Sequence, residues 1–167
     1  MLTDVSGRFV KIALSGVDID IHLERGRSCR PPARFNRKGQ DALYLSPNEE
    51  SARVAIGQYV VEGGPPRGLF TFEVDYCKLF DLRNPQAAPV YEDARQPWQC
   101  ELEAERIPRS WGAADELRNA GHLGLIDPSR RRPGLWHITL FRWNEPGAPS
   151  VRMVGNPRPI EIIPNYR

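Results

Sequence analysis

The chain has 167 residues and a formal charge of +2, with 40% hydrophobic and 26% charged residues, as in an ordinary globular domain with one substantial core. No apolar run approaches the roughly eighteen residues of a membrane span, Met1–Arg8 lacks the pattern of a secretory signal, and so small a charge does not by itself indicate nucleic acid. A single cytoplasmic domain over residues 1–167, with no membrane partner, is the expectation.

Cys29, Cys77 and Cys100 are widely spaced and His22, His122 and His137 show no ligand spacing, so free thiols and no metal site are expected. Positive charge is carried by twenty Arg against three Lys, and guanidinium forks suit bidentate phosphate or carboxylate pairing.

In chain order, Arg8–Leu14 reads as a strand with Lys11 at its middle, and Val17, Ile19, Ile21 and Leu23 alternate as a short edge strand. Arg25, Arg27, Arg30, Arg34, Arg37 and Lys38 then crowd one loop before a short apolar strand, Ala42–Leu45. Ser46 as N-cap, Pro47 at the first position and Glu49 as the capping-box partner predict a helix over 46–62. Its apolar face is Ala52, Ala55, Ile56, Tyr59 and Val60, and Gly63-Gly64-Pro65-Pro66 stops it. Arginines leading to a helix N-terminus suggest an anion site, which makes Ser46 a candidate ligand contact as well as a cap.

Leu69–Tyr76 alternates as a half-buried strand that Leu79–Leu82 extends or pairs with, and residues 83–97, with three prolines, read as a loop. A weak acidic helix spans Trp98–Arg106, and a clearer one starts at Ser110 as N-cap and ends at Gly121. Gly124–Ile126, Leu135–Trp143, Val151–Val154 and Ile160–Ile163 are the later strands. The loop between the first two of these holds Arg130-Arg131-Arg132, read as a solvated run or a contact for an acidic partner. The fold class is α+β, a curved and mostly antiparallel sheet with two or three helices.

Two groups of residues carry a family resemblance. Ala33-Arg34-Phe35-Asn36-Arg37-Lys38-Gly39 followed by Ala42-Leu43-Tyr44-Leu45-Ser46 resembles the arginine–aromatic–asparagine and "LY-x-S" signature of RES domains, with Ala33 where glycine is usual. Ser110-Trp111, Leu117, Gly121, Gly124-Leu125-Ile126, Pro128-Ser129 and Ile138–Phe141 continue the pattern in order. RES domains are the toxin halves of RES–Xre (ParT-like) toxin–antitoxin pairs and consume NAD on an ADP-ribosyltransferase-like fold.

The resemblance implies NAD as substrate, with Arg34 on its diphosphate, Tyr44 stacked on nicotinamide and Ser110 hydrogen-bonded to the ribose or the amide. Lys11 stands where many members have an arginine on the first strand, and Arg25 or Arg30 are alternatives for that charge. The glutamate usual early in the following helix falls on Ala55, leaving Glu50 as the nearby substitute. Expected partners are an Xre-like antitoxin, through which alone nucleic acid would be reached, and a protein acceptor of ADP-ribose. The alternatives are an NAD glycohydrolase or phosphorylase that depletes NAD, an RNA-binding toxin using the 25–38 loop, and a non-catalytic module.

Overall fold

The computed structural model describes residues 1–167 apart from the side chains of Ile19 and Asp20. Its frame is two long strands, β1 (Leu2–Leu14) and β3 (Arg67–Asp81), paired antiparallel from Leu2↔Phe80 to Leu14↔Arg67 around a bulge between Val5 and Gly7. The other strands are β2 (Leu43–Leu45), β4 (Gly124–Pro128), β5 (Trp136–Leu140), β6 (Val151–Met153) and β7 (Arg158–Ile160). They join in the order β1-β3-β4-β5-β2, with β6 and β7 on β3, and β3/β4 is the one parallel pair among the described pairings. An antiparallel bridge between Val10 and Ser46, two bonds of 2.8 Å, draws the ends of this path together. The sheet is therefore strongly curved, as expected of the α+β reading.

Alternation along the strands divides inside from outside. Phe9, Leu43, Leu45, Phe72, Ile126, Ile138, Leu140 and Trp143 fill the concave side. On the convex side a second cluster, with Phe35, Phe80, Leu125 and Phe141, packs under two helices, α2 (Ala88–Ala94) and α4 (Arg109–Asn119). A third, Ile12, Ala52, Leu69 and Ile160, lies under α1 (Glu49–Gly57). A one-turn helix, α3 (Gln99–Glu103), links α2 to α4. Among the described residues no helix is long and apolar enough to cross a membrane.

Residues Ile19–His22 form a 3-10 turn rather than an edge strand. Ser46 does not cap α1, because its N–H and C=O are committed to Val10 and hold it extended. Asn48 is the cap, accepting from the Ser51 N–H at 2.8 Å. The helix ends at Gly57 rather than 62. There the C-terminal segment crosses so closely that a Cβ on Gly57 would lie 2.7 Å from the Tyr166 carbonyl oxygen.

Residues 83–97 are not a loop throughout. Pro85 and Pro89 occupy first-turn positions, where a missing N–H costs nothing, while buried Ala87 and Ala94 anchor the segment. Ser110 lies inside α4, whose cap position is Pro108. Gly121 ends α4 as expected: at φ 86° it lets His122 N–H reach the Leu117 carbonyl.

Candidate functional site

The loop Pro31–Arg37 is fixed from three sides before any ligand arrives. Trp111 Nε1 donates to the Ala33 carbonyl at 2.7 Å and Ser110 Oγ to the Arg34 carbonyl at 2.6 Å, both from α4. From β2, the Tyr44 hydroxyl donates to Asn36 Oδ1 (2.6 Å) and accepts from Phe35 N–H (2.9 Å). Asn36 Nδ2 donates to the Pro31 and Arg37 carbonyls, 3.0 Å each, and the Phe35 ring is buried in the convex core. Ser110 is fully buried and its hydroxyl acts on the loop backbone, so in this structure it positions Arg34. Burial holds the Tyr44 hydroxyl protonated, far above its ordinary range.

Arg34 leaves this loop toward α2. One guanidinium nitrogen, Nη1, donates to the Ala94 and Gln96 carbonyls at 3.4 and 2.7 Å, at the C-terminal end of that helix. The remaining donors, Nε and Nη2, have no partner among the described residues. Beside it lies a pair that sequence reading placed in a turn-rich loop: buried Asp127, both of whose oxygens accept from Arg130 at 2.8 Å. Burial, and secondarily Arg130, lower the Arg34 pKa, while Asp127 opposes them.

The same convex face carries Ser46, just past β2, and His137 on β5, with Asp127 directly across from His137 in the β4/β5 register. Ser46 Oγ and His137 Nδ1 are 2.9 Å apart. Burial lowers the His137 pKa, with Asp127 raising it and Arg130 lowering it.

Next to this face, past Tyr44 and Asn36, a cavity of about 360 Å³ is lined by Lys11, His22, Arg27 and Arg30. Its lining is strongly positive. Arg30 is 8% exposed and donates to the Ala42 and Glu24 carbonyls, with Asp41 4.0 Å from its Nε. Arg30 Nε, Arg27 Nε and His22 Nε2 are buried without a hydrogen-bond partner among the described residues. Burial first, then Arg30 and Arg27, push the Lys11 ammonium down to about 8, and its nitrogen stands 6.0 Å from the centre of the Tyr44 ring. Burial, then Lys11 and the two arginines, lower His22 to about 4, so it stays neutral. Buried donors without acceptors and like charges held together are what an anion would satisfy.

The larger concavity, about 1000 Å³ between residues 59–67 and 159–164, holds Glu62 and Glu161 against Arg67 and has no such convergence.

Most arginines of the two arginine-rich segments have partners within the chain. Arg25 binds Glu145, Arg27 the Ile21 carbonyl and Arg37 Asp115. Arg131 reaches the Val54 and Tyr166 carbonyls and Arg132 reaches Glu50. Arg25, Lys38 and Arg130 remain exposed, so each segment is solvated only in part. Glu50 is held by Arg132 at 2.5 Å and by the Tyr166 hydroxyl at 2.9 Å, away from the Arg34 loop.

The family model of the RES domain matches residues 22–162, a span that includes the Arg34 loop, Tyr44, Asp127 and His137. The chain is a member of the RES domain family. No curated protein sequence matches this RES domain. Among solved structures it is similar to a chain of the crystal structure of the M. tuberculosis MbcT–MbcA toxin–antitoxin complex, with a TM-score of 0.63 and 16% identity. That match covers 95% of this chain and 86% of the other, so the two share a fold over nearly their whole lengths.

Proposed function

We propose that this RES domain is the toxin of a toxin–antitoxin pair that binds NAD, breaks its nicotinamide–ribose bond and transfers ADP-ribose to a protein. The observation that carries the reading is the cavity of Lys11, Arg27 and Arg30, whose buried N–H donors lack acceptors and whose mouth is framed by Tyr44 and the Arg34 loop. A dinucleotide diphosphate supplies the missing acceptors, and Arg34, which does not line the cavity, offers Nε and Nη2 to the dinucleotide from the α2 side of the loop. Nicotinamide then lies against Tyr44, whose ring is fixed through its hydroxyl.

Cleavage sends the glycosidic electron pair to the pyridinium nitrogen and leaves an oxocarbenium-like ribosyl carbon. The protein's contribution is to hold the dinucleotide in place and to supply fixed charge near the reacting bond. Asp127 is the buried carboxylate of this region, and Arg130 holds its orientation. With Ala55 at the family's usual glutamate position, attack by water lacks a dedicated acid–base group on α1, which favours an acceptor that brings its own nucleophile. An Xre-like antitoxin, expressed with the toxin, would silence it; the solved structure of the same fold is that of a toxin–antitoxin complex.

Adenylate-labelled NAD incubated with the purified protein and a cell lysate is expected to mark one or a few protein bands. Label recovered only as free ADP-ribose would contradict transfer and favour NAD depletion.

A further inference from the structure

We infer that His137 is the general base of the reaction proposed above, on which this inference rests, and that Ser46 sets its ring. Strand register pairs Tyr44 with Thr139 and ends at Leu45↔Ile138, and the Ser46–His137 contact follows just beyond it, so the imidazole lies two positions along from the tyrosine that frames the nicotinamide. Nδ1 is 2.9 Å from Ser46 Oγ, and the backbone of Ser46 is in turn locked to Val10 by two bonds of 2.8 Å. With Nδ1–H donated to that hydroxyl, the lone pair sits on Nε2, at the opposite edge of the ring, which has no partner among the described residues. A serine whose backbone belongs to the sheet is a rigid orienting group, the arrangement a positioned base requires.

The charges that act on the ring are Asp127, across the β4/β5 register, and Arg130, which Asp127 holds. Burial and Arg130 outweigh Asp127 and keep the ring neutral, and therefore able to accept a proton, at pH 7. The step is balanced without another reagent. The C1′–N bond breaks and its electron pair neutralises the nicotinamide ring. A hydroxyl of the acceptor protein bonds to C1′, and its proton passes to Nε2. His137 thus supplies from β5 what Ala55 cannot supply from α1.

The test is the initial rate of nicotinamide release from NAD, with a cell-protein fraction as acceptor, across pH 5–9 (about), alongside NAD affinity and thermal stability. His137→Gln is expected to lower kcat by about 10²–10⁴-fold while leaving NAD affinity and stability close to wild type. The wild type should lose activity as pH falls below the ordinary histidine range of 6.5, and this acid limb should be absent from His137→Gln. Added imidazole should restore part of the rate to His137→Gly. Ser46→Ala should keep the base but shift the acid limb and lower kcat by less than His137→Gln does.

A wild-type rate in His137→Gln, or an acid limb unchanged in it, overturns the inference while leaving NAD cleavage standing. So does loss of activity that follows loss of stability with no imidazole rescue, which would give His137 a purely structural role. A wild-type protein that neither binds nor cleaves NAD defeats the proposed function itself, and this inference with it.

Discussion

Lys11→Met is expected to raise the melting temperature while weakening NAD binding about 10- to 100-fold, the range for loss of a charge-assisted hydrogen bond. Both effects follow from one observation. Burial and the neighbouring Arg30 and Arg27 bring the Lys11 ammonium from its ordinary 10.5 down to about 8. The folded state therefore holds this proton less tightly than the unfolded chain does. The charged amine costs stability at neutral pH, and the cost fades as pH rises from about 8 toward 10.5. Replacing it with an apolar side chain of similar length should raise Tm by about 2–6 °C at pH 7. Binding runs the other way, because a diphosphate needs the ammonium charged. Wild-type affinity should decline as pH rises through about 8, and the Lys11→Met affinity should not follow that decline. A variant that is less stable, or that binds NAD as tightly as wild type, would remove Lys11 from the site.

The second large effect is expected at Asp127, whose carboxylate is buried and spent on Arg130. Asp127→Asn keeps the shape but leaves Arg130 without its counter-charge beside Arg34. Arg130 itself reaches solvent, so removing its partner costs about 1–3 kcal/mol, which for a chain of this length is a Tm fall of about 2–12 °C. Because the remaining defect is unopposed positive charge, millimolar pyrophosphate should recover more Tm in Asp127→Asn than in wild type. An unchanged Tm would show that the pair holds nothing in place.

How far the sequence revealed this arrangement depends on the range of the forces involved. The alternation of Phe70, Phe72 and Val74 and the apolar run around Ile138 mark strands because burial of one or both faces is written locally. The Arg34–Asn36 motif and Tyr44 were legible by resemblance, and they do converge: the tyrosine hydroxyl closes on the loop that precedes it. Lys11, read on the first strand where many members have an arginine, lines the basic cavity.

What local pattern could not show were choices made by distant partners. Ser46 reads as a perfect helix cap until Val10 claims its backbone, after which Asn48 takes the role. Ser110 reads as a cap or a ligand contact, yet its hydroxyl is used on Arg34 from 76 positions away. Prolines suggested a loop over 83–97 because helix-breaking and helix-starting prolines look alike without knowledge of which alanines are buried. Asp127 and Arg130 were hidden in a turn-rich, arginine-rich stretch. The available signal was register: two residues past Leu125 on the same strand, Asp127 must share its convex face and stand opposite His137.

The central claim is that the basic cavity and the Arg34 loop form a site for cleaving NAD. Its most direct measurement is nicotinamide release from NAD by the purified protein with a cell-protein fraction as acceptor, followed by chromatography, for wild type beside Arg34→Lys and Lys11→Met. The account predicts release by the wild type, strong loss in Lys11→Met, and loss in Arg34→Lys because an ammonium cannot hold the Ala94 and Gln96 carbonyls and a phosphate at once. Wild-type protein that leaves NAD intact, or equal release by all three, would contradict it.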